Sequence, residues 1–175
     1  MSKNKDKAFT LVELAIVLVV IAIFLGVIWK GSSLLFSSKE TKAISWINAW
    51  IAELERYNGR VVNPPPESYQ APNETIYIKY GSYTTPSYKT NIIAVCNSPD
   101  CSTNLSNDTK ILARMLETQY NDQKGASVGV VRGATNITVS GQKISSISIA
   151  TATDTNWENN YKAIVIFYEK INTNF

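Results

Sequence analysis

Glu13 is the residue whose type and place most demand a chemical reason. It lies in a run of 21 residues, 9–29, in which only Thr10 and Glu13 are conspicuously polar. A helix of that length, at about 1.5 Å of rise per residue, spans roughly 31 Å, close to the hydrocarbon thickness of a bilayer. A carboxylate inside such a helix costs on the order of 2.5–3.5 kcal/mol on insertion scales, so it counts as functional by default and should have a partner. A cationic amine at a helix N-terminus, one turn away or on an adjacent chain, is a natural partner in a low-dielectric setting. The plain alternative is a side chain that snorkels toward the helix end.

Little else in the chain has the makings of a reactive site. There is no histidine among the 175 residues, which removes Ser–His and Cys–His pairs and imidazole metal ligands. No carboxylate pair can be argued from spacing, so no catalytic residue, metal site or cofactor is expected and the chain reads as a non-enzyme. Asp154-Thr155-Asn156-Trp157-Glu158 hints at alternating oxygen ligands. It lacks the glycine and terminal glutamate pattern of a calcium loop, so a solvated turn is the better reading. The Asn-x-Ser/Thr triplets at Asn73, Asn104, Asn107 and Asn136 are unsurprising in a surface rich in Asn and Thr.

The string Ala8-Phe9-Thr10-Leu11-Val12-Glu13-Leu14, with a basic leader before it and an unbroken apolar run after it, resembles the processing site of type IV prepilins and type II secretion pseudopilins. The family usually has Gly where this chain has Ala8. The resemblance implies a leader, residues 1–8, removed by a prepilin peptidase between Ala8 and Phe9, and methylation of the new amine of Phe9. It makes Glu13 the acid that fixes axial register when a subunit joins a filament. The implied fold is α+β and pilin-like: a long N-terminal helix packed on a small antiparallel β-sheet head. Residues 9–29 would form the membrane-spanning and filament-core half of that helix, 30–58 its amphipathic half, and 59–175 the β-rich head. The implied partners are further copies or other pilin subunits, the peptidase and an inner-membrane assembly platform. The precursor would be a single-pass inner-membrane protein, and the product a periplasmic or extracellular filament. A minor pseudopilin of a secretion system shares the same N-terminus, as does a subunit of a surface pilus.

Two competitors share parts of this pattern. A cleaved secretory signal has an apolar core of about 7–15 residues and a small-residue cleavage site; here the run is longer and ends in Ile28-Trp29-Lys30. A plain membrane anchor on a non-polymerising periplasmic binding domain is the stronger rival. Charge does not favour nucleic acid: the whole-chain balance is +3, and removing Lys3, Lys5, Lys7 and Asp6 with the leader leaves 14 basic against 13 acidic side chains, or +1. The leader lysines fit a cytoplasmic N-terminus.

The segment 30–57 keeps a helical period. With Trp46 at 0° and about 100° per residue, Trp50 and Tyr57 fall near 40° and 20°, and Leu54, Ile47, Ile51 and Ile44 between about 80° and 160°. Ser45, Asn48, Ala49, Ala52, Glu55 and Arg56 take the opposite arc, with Lys42 and Glu53 at its edge. The isoleucine side suits a monomer core; the tryptophan side suits either that core or a neighbouring helix. Gly26 and Gly31 weaken the helix, but no proline precedes Pro64, so local melting is a weak expectation. Asn58-Gly59 is a helix stop with Gly in the C′ position, and Pro64-Pro65-Pro66 prevents continuation.

The remainder predicts strands at 76–80, 92–95, 128–131, 144–149 and 163–168, separated by turns rich in Gly, Ser, Asn and Thr. The last is apolar throughout and should be a well-covered strand. A short amphipathic helix follows Asn107 or Asp108 as N-cap and carries Ile111, Leu112, Met115, Leu116 and Tyr120. Cys96 and Cys101 are the only cysteines. In an exported head they should pair as a local disulfide, with modest effect because the loop is short.

Overall fold

The computed structural model describes residues 11–57, 59–71, 73–85, 89–120, 125–151 and 156–168; within the first helix, side chains are described for 11–25 and 40–56. The elements in chain order are α1 (Leu11–Arg56), β1 (Ser68–Gln70), β2 (Thr75–Thr84), β3 (Lys89–Cys96), α2 (Asn107–Gln119), β4 (Val131–Ser140), β5 (Lys143–Ile149) and β6 (Ala163–Phe167). The chain divides into two compact units, Met1–Ser38 and Lys39–Phe175.

In the first unit α1 runs without a break in its backbone through Gly26 and Gly31. The apolar side chains of residues 11–25 lie open, from Leu11 at 88% exposure to Val20 at 44%. Among the described residues no helix is long and apolar enough to cross a membrane. The described side chains of this stretch number fifteen, below the roughly 20 a span requires, and the expected span 9–29 extends beyond them at both ends.

In the second unit the arc expected to be apolar is the buried one. Trp46, Ile47, Trp50, Ile51 and Leu54 are buried, whereas Ser45, Ala49, Ala52, Glu55 and Arg56 are exposed. Both tryptophans are covered by their own chain. The Trp46 and Trp50 indole N–H groups donate to the same carbonyl, that of Pro66, at 2.8 and 3.0 Å. Trp46 packs on Tyr69 and Trp50 stacks with Tyr80. Glu53 departs from its place on the wheel's edge. It is buried, and its Oε1 accepts the Val62 and Asn63 N–H groups, capping the turn after the helix. That turn begins at Gly59, which has φ +79° and donates its N–H to the Leu54 carbonyl, a left-handed stop open to glycine without steric cost.

The strand order is β1-β2-β3-β6-β4-β5, and β5 returns to β2. The expected small antiparallel sheet is therefore corrected in its form: β2, β3, β6, β4 and β5 close into a five-stranded barrel, with β1 paired to the first part of β2. The closing contact is parallel, at Tyr80 and Lys143, and the Tyr80 N–H donates to the Gln142 carbonyl at 3.0 Å. Gly81 permits this approach, because a Cβ there would lie 2.9 Å from the Ile144 Cβ.

Closure creates two cores. On the outer face Ile76, Ile78, Ile93, Val95, Ile164 and Ile166 pack against α1 and α2. On the inner face Ile92, Ala94, Ala134, Ile137, Val165 and Phe167 pack on one another with the two cysteines. Strand alternation sends successive residues to opposite faces, so β6, every residue of which is apolar and buried, serves both cores and is well covered, as expected. Other strand expectations fared unevenly. The segment 144–149 matches β5, and 76–80 and 92–95 lie inside β2 and β3. The segment 128–131 overlaps β4 only at Val131, and β1 was not anticipated. In β4, Gly133 leaves room for the Tyr161 ring, which a Cβ would meet at 2.6 Å.

Candidate functional site

The residues expected to be processed, Ala8 and Phe9, lie outside the described residues, as does Thr10. Glu13 lies in the first described turn of α1, among side chains that are all exposed. Leu11, Val12, Ala15, Ile16, Val19 and Val20 line one apolar surface beside it. An apolar surface of this kind needs lipid or other helices to cover it, and a helix apolar on every side is the kind that a membrane or a packed core surrounds. The first unit thus brings together a carboxylate and an all-round apolar helix, and contains no constellation for bond-making chemistry among its described residues.

Cys96 and Cys101 form a disulfide, with their Cα atoms 5.2 Å apart and both side chains buried. The short loop between them is set by Cys101, whose φ of 55° is the only positive value on a non-glycine residue among those described. Asp100 in that loop is held down to about 2 by hydrogen bonds from Ser98 and Ser102.

The loop also places Asn97, the centre of a polar junction that the sequence did not announce. The Asn97 amide donates to Glu74 and to Thr109, and its carbonyl oxygen accepts the Ser106 N–H at 3.0 Å. The Ser106 and Thr109 hydroxyls donate to Glu74 Oε1. The Ser106 oxygen in turn accepts the Thr109 N–H at 3.1 Å, making Ser106 the N-cap of α2. This corrects the expected cap at Asn107 or Asp108: those residues fall in the first turn, and Ser106 alone has the extended backbone a cap requires. One disulfide loop, one loop carboxylate and one helix start are thereby fixed together. Nearby, the Asn73 amide donates to Asp108 at 2.7 Å.

Two other charged groups were also unforeseen. Lys79 is buried and donates to Glu67 at 2.8 Å and to the Gly141 carbonyl at 3.0 Å, across the seam where the barrel closes. The lysine holds the Glu67 carboxyl below the usual range, chiefly through that hydrogen bond. Glu40 is buried with Oε1 unbonded, and burial first and Asp108 second push its carboxyl upward.

Of the possible calcium ligands, Asp154 and Thr155 lie outside the described residues, and Glu158 pairs instead with Arg114 at 3.2 Å. Among the described residues no group of three or more Asp, Glu, His or Cys side chains is placed to hold a metal. Asn73, Asn104, Asn107 and Asn136 are all exposed.

No curated protein and no solved structure matches the chain. Residues 3–29 match the family model described as the prokaryotic N-terminal methylation motif. That motif is the cleavage and methylation signal of type IV pilins and pseudopilins, and its presence supports a pilin-like or pseudopilin precursor.

Proposed function

We propose that the protein is a non-enzymatic structural subunit, a pilin or pilin-like protein. In this reading its leader is cut between Ala8 and Phe9, Phe9 is N-methylated, and the N-terminal helix carries it from the inner membrane into a type IV pilus or related filament. The observation that carries the reading is the methylation motif at residues 3–29. Support also comes from the helix it opens, whose apolar side chains at 11–25 are uncovered all round. The residues divide the work plainly. The leader lysines keep the N-terminus cytoplasmic, and the apolar run first occupies lipid and then packs against equivalent helices. Glu13 offers a carboxylate to the Phe9 amine of a neighbouring subunit, where low dielectric strengthens the attraction. Register follows because only one axial offset pairs the two charges.

Glu13→Ala tests this directly. The expected outcome is a variant that is processed and remains in the membrane fraction but is missing from sheared filaments. Normal filaments from that variant would remove Glu13 from the assembly step.

A second reading is favoured by a specific observation. The Trp46 and Trp50 face is covered within its own chain by Pro66, Tyr69 and Tyr80, as a membrane-anchored head that never polymerises would have it. In a filament that face is then unavailable to neighbours, and contacts beyond the apolar segment fall to the exposed arc of Ser45, Ala49, Ala52 and Arg56. A minor pseudopilin of a secretion system remains the alternative within the same superfamily.

A further inference from the structure

β5 is paired along one side only. Its residues Lys143–Ile149 form a ladder with β4, but its pairing with β2, among the described residues, is the single pair Tyr80 and Lys143. Past that pair the barrel seam is open, and alternate N–H and C=O groups of 144–149 have no strand to bond among the described residues. An unpaired edge is a template for an added strand, and proteins blunt such edges with charges, proline or irregular pairing. The sequence Ile144-Ser145-Ser146-Ile147-Ser148-Ile149 contains no charge and no proline. Register shifts against β4 are the blunting device it has.

The plain reading is a hydrated edge. Two features argue for more. Ile144, Ile147 and Ile149 of β5 and Tyr83 of β2 pack against the inner core but are only partly buried, so an apolar strip runs along the seam beside the exposed Ser145, Ser146 and Ser148. The second feature is the chain that follows β6. In residues 169–175, which lie outside the described residues, Ile171, Thr173 and Phe175 alternate with Lys170, Asn172 and Asn174, a strand period with one apolar side. At about 3.3 Å per residue these seven residues span about 23 Å, as do the seven of β5.

We propose that the open edge of β5 accepts residues 169–175 of a second copy as an added strand. Backbone groups on that edge gain ladder partners. Ile171, Thr173 and Phe175 cover the isoleucine strip, and the asparagines lie on the serine side. The donor is a second copy because the chain's own residues reach the edge with too little left to pair. Phe167 stands beside Ile92, Ile92 beside Gly81, and Gly81 against Ile144, which is three strand spacings or about 14 Å. Crossing them takes about four of the seven residues at full extension. A second copy can place all seven. The contact needs neither leader removal nor a filament, so its failure would leave the function proposed above untouched.

The test reads amide hydrogen exchange of 144–149 in the full chain, in excess detergent, across a range of protein concentrations. Exchange should slow about tenfold or more between dilute and concentrated samples. Thr173→Pro, which removes a ladder donor from the added strand, should abolish that slowing and leave the thermal stability of the head unchanged. Isotope-labelled Thr173→Pro mixed with unlabelled parent should regain protection on its own β5, because its edge is intact and the parent supplies the strand. Slow exchange independent of concentration would mark the chain's own residues 169–175 as the occupant, and protection persisting in Thr173→Pro alone would mark a different one. Fast exchange at every concentration would mark a hydrated edge. Any of these three results overturns the proposal, as does a mixture that restores no protection.

Discussion

Residues 11–25 and residues 40–56 belong to one helix yet dispose of their side chains in opposite ways. The first stretch is apolar on every side, and every described side chain is exposed. The second is divided, with tryptophans and isoleucines buried on one arc and Ser45, Ala49, Ala52 and Arg56 in water on the other. A divided helix finds its partners within its own unit, whereas an undivided apolar one must find them outside. The difference separates two kinds of information: the first stretch bears on function and depends on surroundings, and the second bears on stability and is self-contained.

The comparison can be broken most sharply by matched truncations. Trp50→Ala should destabilise the head by about 3–5 kcal/mol, since it removes a fully buried ring and a hydrogen bond to Pro66. Leu18→Ala should leave the same unfolding transition within about 0.5 kcal/mol. Chemical denaturation of both variants in detergent checks the pair, and comparable losses would mean that residues 11–25 also find their partners within the chain.

Within the head, Glu67→Ala leaves the Lys79 ammonium buried with only the Gly141 carbonyl. The expected cost is about 1–3 kcal/mol, with hydrogen exchange rising first at Tyr80 and Lys143, where the barrel closes. Replacing both cysteines by serine should cost at most about 2 kcal/mol, because the closed loop is short. The change in exchange should concentrate at the start of α2, which Asn97 holds. The smallest effect concerns Glu40. Its carboxyl is raised by burial and by Asp108, so the folded state prefers the protonated form. Its contribution is most favourable below the ordinary value of 4.5 and is lost as pH rises through the raised value. Glu40→Gln should therefore be more stable than the parent at neutral pH and indistinguishable from it in acid. Thermal melts at the two pH values check the sign.

What could be read from sequence follows the range of the interactions involved. The apolar arc of residues 44–54 was legible because helical period is local, whereas the choice between the head and a neighbouring helix as cover for Trp46 and Trp50 was open, since it depends on Pro66, Tyr69 and Tyr80. β6 was legible because a short strand apolar at every position has to be covered on both faces. β4 was obscured by Gly133, Thr135 and Asn136 and by register shifts between Ala134 and Asn136 and between Thr138 and Val139, which interrupt a period of two. Barrel closure rests on Gly81 meeting Ile144, a contact between residues far apart in the chain that no periodicity encodes. Ser106, Asn107 and Asp108 are three good capping types in succession, so the cap could be decided only by backbone conformation. Glu74 was missed for a related reason: its partners stand 23 to 35 residues away. The N-terminal motif was legible through resemblance, because its leader, Phe9 and Glu13 are contiguous with the apolar run.

The central claim rests on what happens to that leader. Mass spectrometry of the N-terminal peptide, from membrane and from sheared cell-surface fractions, tests it most directly. The account predicts a peptide that begins at N-methylated Phe9 in both fractions; its restriction to the membrane fraction would favour a secretion pseudopilus over a surface pilus. An intact leader carrying Lys3, Lys5 and Lys7, in a host that processes other prepilins, would contradict the filament reading and leave a membrane-anchored head.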